Sequence, residues 1–152
     1  MSPAEGHARD RAAAKRRRVR LLQRYVINPP LKLLTWLDRY PGHVLLETVG
    51  RRTGRRRRTV VGARWEGQVI RIVAEHGRHA GYVANLHTEP RVRVCADGHW
   101  YQGSAWVEER VDPEQLLDSW HDPAHARAVR AFGTDLRVVR VDLDPGQIDI
   151  RR

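Results

Sequence analysis

The sequence predicts a mainly β protein: a small closed or split barrel of six strands with helical covers, entered through N-terminal helices. Three observations carry this. Beyond Gly42 the apolar residues alternate with a period of two in a series of short runs. Hairpin signals such as Glu66-Gly67 and Asp97-Gly98 separate those runs. Ahead of Gly42 the chain is instead rich in Ala, Lys and Arg and is punctuated by proline, a helical composition. A chain of 152 residues is one domain by length and can bury a core.

Taken in order, residues 1–8 read as a disordered tail. Residues 9–25 read as a helix whose short apolar side is Val19, Leu22 and Val26, and Asn28-Pro29-Pro30 stops it. A second helix over 30–39 carries Leu33, Leu34, Trp36 and Leu37, and Tyr40-Pro41-Gly42 ends it. Residues 9–40 thus form a basic amphipathic arm, and 41–152 form the barrel domain. Strands are expected at 44–49, 56–65 and 68–74. In the second, Arg57, Thr59, Val61, Ala63 and Trp65 share a face, because side chains alternate. Val61, Ala63 and Trp65 would point to the core, with Arg57 at the mouth of that face and Arg56 and Arg58 pointing outward. A short helix over 79–87 places Tyr82, Val83 and Leu86 on one side, flanked by Asn85. Strands at 91–97 and 99–108 follow. A helical segment spans 112–132 with a break at Asp122-Pro123, and a last strand at 136–143 is closed by Asp144-Pro145-Gly146.

The net charge of +10 is concentrated in two places. Residues 1–24 hold eight basic and two acidic residues, and residues 50–59 hold six arginines and no acid. The rest of the chain is slightly negative. Such patches attract polyanions, anionic lipid or a phosphorylated small molecule. The second patch, GRRTGRRRRT, is the stretch around which the chain is organised. Gly50 and Gly54 allow a sharp turn, Thr53 supplies a hydroxyl, and Arg51, Arg52, Arg55 and Arg57 supply planar, permanent cations suited to phosphate or carboxylate. No Gly-Lys-Ser/Thr opens a helix there, so it is not a Walker loop. A second loop, Glu75-His76-Gly77-Arg78, ends the third strand. A ligand bridging the two loops would place a phosphate at one and a planar polar head near the other.

Other constellations are weaker. His121 and His125 stand four apart with Pro123 between them and no obvious third ligand, so no metal is expected. The lone Cys95 excludes an internal disulfide and reads as a packed thiol. The five tryptophans read as core or lid packing. No apolar run is long enough to span a bilayer. A cytoplasmic setting is expected, with the basic arm able to rest peripherally on an anionic inner membrane face. Nucleic acid is not expected as a partner, because the arginine turn contains no aromatic residue.

The run Gly50-Arg51-Arg52-Thr53-Gly54-Arg55-x-Arg57-x-Thr59, then Ala74-Glu75-His76-Gly77, then Asn85-Leu86-x-x-x-Pro90, resembles the deazaflavin (F420)-dependent nitroreductase family of actinobacterial oxidoreductases. The likeness covers residues 40–110 well and the ends weakly. It implies an FMN-binding-like split β-barrel and a reductase that uses reduced coenzyme F420, with flavin mononucleotide as the lesser alternative. The coenzyme's phosphate and polyglutamyl tail would lie on Arg51, Arg52, Arg55 and Arg57 with the Thr53 hydroxyl and turn amides. Glu75, His76 and Gly77 would border it, and Gly50, Gly54, Thr59 and Asn85 would complete the site. Tyr82 and His76 are the candidates for proton delivery or orientation. The acceptor would be a quinone, nitro compound or activated alkene. The sequence departs from the nitroreductases in having no tyrosine after Tyr101, where they place substrate-pocket tyrosines. The likeness leaves open whether the protein is a monomer or a homodimer.

Overall fold

A computed structural model describes residues 42–149 of the chain. The expected tail and basic helical arm lie outside the described residues. Seven strands form one antiparallel sheet: β1 (His43–Val49), β2 (Arg56–Gly62), β3 (Arg64–Glu66), β4 (Val69–Ala74), β5 (Arg91–Ala96), β6 (His99–Val107) and β7 (Arg137–Asp149). Their order across the sheet is β2-β1-β5-β6-β7-β4-β3. The two edge strands, β2 and β3, are therefore consecutive in sequence and separated only by Ala63. A flat sheet cannot satisfy that link, so the sheet curls until its edges meet. The result is a split barrel, mainly β with few helices.

The expected second strand, 56–65, is thus two strands on opposite edges. The break falls at Ala63, whose backbone N–H donates to Gly42 O at 2.8 Å. Inward alternation still holds for Val61 and Ala63, which are buried. It fails for Trp65, which sits on the three-residue edge strand β3, is 40% exposed, and meets Tyr101 edge-on at 5.6 Å. Of the other tryptophans expected to pack the core or a lid, Trp120 packs beside Leu116 and Leu117, Trp106 is 42% exposed, Trp100 lies under the guanidiniums of Arg58 and Arg93, and Trp36 lies outside the described residues. The core is instead aliphatic, built from Val44, Leu46, Ile70, Ile72, Val94, Val139 and Val141.

Both hairpin signals hold. Gly67 links β3 to β4 with φ of +63°, and Asp97-Gly98 links β5 to β6 with both residues at positive φ. The last strand is longer than expected. Asp144-Pro145-Gly146 lies inside β7, where the pairing with β6 shifts register between Tyr101 and Gly103. The irregularity accommodates a proline, which could not donate to a regular ladder.

Helix α1 (Gly81–Thr88) follows a short 3-10 turn (Gly77–His79) and buries Val83, Asn85 and Leu86 against the sheet. Helices α2 (Pro113–Asp118) and α3 (Pro123–Phe132) form the expected broken helical segment, and the break covers residues 119–122, ending at the expected Asp122-Pro123. Asp112 and Asp122 cap them, each ahead of a proline at the first helical position. Leu116, Leu117, Ala126 and Val129 pack on Val73 and Val138, forming a second core on the sheet's other face.

One buried charge ties the arginine-rich edge to the sheet. Glu47 is 3% exposed, and its carboxylate accepts from Arg56 Nη1 at 2.9 Å, Arg58 Nε at 2.8 Å and Arg93 Nη1 at 3.1 Å. Arg56 and Arg58 do point away from the barrel interior, as alternation requires, and there they pair with Glu47 while staying solvent-exposed. Burial pushes the Glu47 carboxyl up, and the three guanidiniums more than offset this, leaving it below the ordinary value of 4.5. A depressed carboxyl stabilises the fold fully above its unfolded value and ceases to do so as pH falls through the lower folded one. Glu47→Gln is expected to cost about 2 kcal/mol at pH 7, because three guanidiniums lose a charged acceptor. Urea midpoints of both proteins should converge as pH is lowered below 4.5, with the wild type losing the difference.

Candidate functional site

Strands β1 and β2 pair in register from His43↔Gly62 to Val49↔Arg56, so residues 50–55 must reverse the chain. The turn closes on itself. Gly50 N–H donates to Arg55 O, and Gly54 N–H donates to Gly50 O, each at 2.8 Å. Gly54 adopts φ of +66°, which glycine takes without strain. A Cβ on Gly50 would sit 3.0 Å from Arg55 O and 3.2 Å from Thr53 Oγ1. Thr53 Oγ1 accepts from Arg55 N–H at 3.3 Å, which leaves its hydroxyl proton available to a ligand.

Beside the turn opens a cavity of about 330 Å³. Its walls are Gly50, Arg51, Arg52 and Thr53 of the turn, Thr48, Arg57 and Thr59 on the inward face of β1 and β2, and Gly81, Tyr82 and Asn85 of α1. Thr48 pairs with Arg57, and Leu46 with Thr59, so the inward parity that buries Leu46 lower in the barrel presents polar groups at its mouth. Asn85, 5% exposed, joins helix to turn. Its Oδ1 accepts from Arg51 N at 3.1 Å and Arg51 Nη1 at 3.4 Å, and its Nδ2 donates to Thr48 Oγ1 at 3.0 Å.

Counting backbone donors shows what the turn leaves over. The N–H groups of Gly50, Arg51, Gly54 and Arg55 are all taken. Those of Arg52 and Thr53 have no protein acceptor among the described residues. Residues that carry two consecutive unengaged amides, a hydroxyl and three guanidiniums, Arg51, Arg52, Thr53 and Arg57, therefore line one cavity. Donors of this kind, with no acid on the wall, suit an anion. Helix α1 opens on the same cavity with no acidic residue in its first turn, so its N-terminal end adds positive potential.

Eight of the residues expected from sequence line this cavity: Gly50, Arg51, Arg52, Thr53, Arg57, Thr59, Tyr82 and Asn85. Gly54, Arg55, Glu75, His76 and Gly77 lie outside its lining. Gly54 and Arg55 shape the turn from behind. The second loop is held by the segment before β7: Glu75 O accepts from Thr134 N–H at 2.9 Å and Asp135 N–H at 3.2 Å, and His76 Nδ1 meets Thr134 Oγ1 at 3.1 Å. That loop reaches the cavity electrostatically, through Glu75. Burial pushes the Tyr82 hydroxyl well above its ordinary value, and the Glu75 charge pushes it the same way. Burial likewise raises the Glu75 carboxyl. Tyr82 therefore keeps its proton across the whole physiological range.

Sequence reasoning passed over Thr48 and Gly81 as wall residues. Thr48 carried a signal, a polar residue ending the inward alternation Val44, Leu46, Thr48. Gly81 carried none.

A curled antiparallel sheet of this order is the architecture of the FMN-binding split barrels, and solved structures of that fold superpose on this chain. A pyridoxamine 5'-phosphate oxidase-related, FMN-binding protein from Nostoc punctiforme matches with a TM-score of 0.50 at 12% identity, over 74% of this chain and 78% of its own. The heme storage protein HutZ from Vibrio cholerae matches at 0.54 and 13%, over 76% and 91%. An F420-H2-dependent reductase matches at 0.51 and 20%, over 67% and 95%. At such identities the likeness is one of fold. No curated protein matches the chain. The F420H2-dependent quinone reductase family model matches residues 11–144, and the chain belongs to that family. It is thus an oxidoreductase of a family that works with coenzyme F420 and a small-molecule acceptor. The donor set fits the coenzyme, since two open amides, a hydroxyl and clustered guanidiniums are what its phosphate and carboxylates need.

Gly77 shows how tightly the second loop is held. It adopts φ of +46°, and a Cβ there would collide with the Asp135 side chain and carbonyl. Gly77→Ala should combine a left-handed strain of about 1–2 kcal/mol with that collision. Thermal unfolding is expected to show a drop of several degrees, whereas Gly81→Ala, where a Cβ meets nothing within 4 Å, should stay near the wild type.

Proposed function

We propose that this protein is an F420H2-dependent reductase of a quinone-type acceptor, with the coenzyme's phosphate and acidic tail on the arginine turn. The observation that carries this reading is the pair of open amides at Arg52 and Thr53, set among Arg51, Arg57 and the Thr53 hydroxyl on one cavity wall. Arg57 is the inward cation of β2 and the one strand arginine placed to touch the coenzyme. Thr48 and Thr59 offer hydroxyls deeper in the same wall. Bound there, the reduced coenzyme supplies a hydride. Tyr82 holds its proton at Oη and donates a hydrogen bond to the acceptor oxygen as negative charge develops on it. Its position on the wall favours it over His76, which is engaged with Thr134 outside the lining. A quinone presents such an oxygen, and the family match supports that acceptor class over a nitro compound. The lack of any tyrosine beyond Tyr101 points the same way.

The arginine split gives the first test. Arg57→Ala should weaken F420 binding by about 1.5–3 kcal/mol, roughly ten- to a hundredfold, because it removes a charge-assisted contact in the cavity. Arg58→Ala should change affinity by less than about 1 kcal/mol, since its guanidinium serves Glu47 on the other face. Both lower net charge equally, so equal losses would mean long-range attraction rather than a pocket. Fluorescence titration of F420 and of flavin mononucleotide, at low and high salt, reads this directly, and tighter binding of the mononucleotide would overturn the coenzyme assignment.

Turnover gives the second. Tyr82→Phe should lower kcat with a quinone acceptor by about ten- to a hundredfold while leaving coenzyme affinity within about twofold. His76→Ala should leave kcat within about threefold. The reverse ranking would transfer the proton-holding role to His76.

A further inference from the structure

We infer that Asn85 is a positioning residue: it clamps the arginine turn to helix α1 and so aims the open amides of Arg52 and Thr53 at the ligand. This rests on reading the turn as the coenzyme's anion seat. The sequence pattern places Asn85 among the coenzyme contacts, but its side chain is already spent on the protein. Arg51 presents two donors, its backbone N–H and its Nη1, and only an oxygen can receive both. The orientation of the amide is thereby fixed, and Nδ2 must face Thr48 Oγ1. All of this happens at a side chain that is 5% exposed.

The consequence is mechanical. Four amides of the turn are held from within or from α1: Gly50 by Arg55 O, Gly54 by Gly50 O, Arg55 by Thr53 Oγ1, and Arg51 by Asn85. The first three bonds close the loop on itself and leave it able to pivot as a unit about β1 and β2. Among the described residues, the hydrogen bonds that tie it to a different element are those from Arg51 to Asn85. Arg52 and Thr53 come next in the chain, so the direction of their N–H groups follows from that tie. Tyr82 lies three residues before Asn85, on the same side of α1, and lines the same cavity. The clamp therefore joins the anion seat to the helix that also carries Tyr82.

The test compares wild type, Asn85→Ala and Asn85→Asp by amide hydrogen exchange without coenzyme, and by F420 titration and steady-state kinetics. In Asn85→Ala, the amides of residues 50–55 should exchange at least about tenfold faster while β5, β6 and β7 stay at wild-type rates. F420 affinity should fall about tenfold with kcat within about twofold, a loss of binding and not of chemistry. Asn85→Asp keeps an oxygen for Arg51, and the Thr48 hydroxyl can turn to donate to it. It should restore turn protection to within about threefold of wild type.

Unchanged exchange in Asn85→Ala overturns the clamp. Faster exchange with unchanged affinity overturns its link to binding. Lost affinity with unchanged exchange means that Asn85 touches the coenzyme itself, which also overturns a positioning role. If the wild type does not bind F420, the functional reading of the turn falls, while the exchange comparison still decides the clamp. Should Asn85→Ala not fold, Thr48→Val, which removes the acceptor of Nδ2, is measured in its place with the same readouts.

Discussion

The geometry of this domain depends on one covalent constraint. Strands β2 and β3 occupy opposite edges of a seven-stranded sheet, yet Ala63 alone lies between them. The sheet has to close on itself for the chain to make that step. Closure gives the sheet a concave side, where the aliphatic cluster sits, and a mouth, where the β1–β2 turn sits. It also explains why the interior is built of Val, Ile, Leu and Ala. A small barrel has room for branched aliphatics but little for indoles, and Trp65, Trp100 and Trp106 lie outside the aliphatic cluster, Trp100 beside Arg58 and Arg93 and Trp106 beside Arg140.

The charge of the arginine run is divided by the strand it enters. Positions 56 and 58 face a buried carboxylate and position 57 faces the cavity, so adjacent identical residues have different electrostatic partners. Glu47 neutralises part of the cationic edge on the outer side. On the inner side no acid stands on the wall, and the field of Arg51, Arg52, Arg57 and the α1 terminus is left to a ligand. One short segment thereby serves both the cohesion of the sheet edge and the seat proposed for the coenzyme's anionic groups.

Much of this was legible in the sequence. Period-two alternation located the strands, and the hairpin at Asp97-Gly98 followed from turn chemistry. The run of glycines, threonine and arginines pointed to the stretch that lines the cavity, because its residue types combine a tight turn with anion-binding donors. What the sequence could not show was long-range. Nothing local to residues 56–65 reveals that the strand must stop at Gly62, since the break is imposed by sheet closure and by the bond from Ala63 to Gly42. Trp65 was misplaced for that reason. The partners of Glu47 lie nine, eleven and forty-six residues away, and only the pairing of β1 with both β2 and β5 brings them together. Asn85 was visible as a site residue, but its bonds to Arg51 and Thr48 were not.

The arginine run also has a bearing on how this turn tolerates insertion and deletion. Residues 55–58 are four identical side chains in succession. A slip of one position within them would exchange guanidinium for guanidinium on both faces, and the run by itself encodes no reading frame. The frame is set by its borders: the turn ahead, whose glycines and Thr53 fit only one closure, and Thr59 and Val61 behind, which must face inward. With the turn fixed, an extra arginine codon would keep guanidiniums at positions 56, 57 and 58, and would register instead as an arginine in the inward place of Thr59 on the cavity wall, with Val60 carried into the place of Val61. The chemically conspicuous part of the motif is thus its interchangeable part, and the small and apolar residues at its ends carry the positional information.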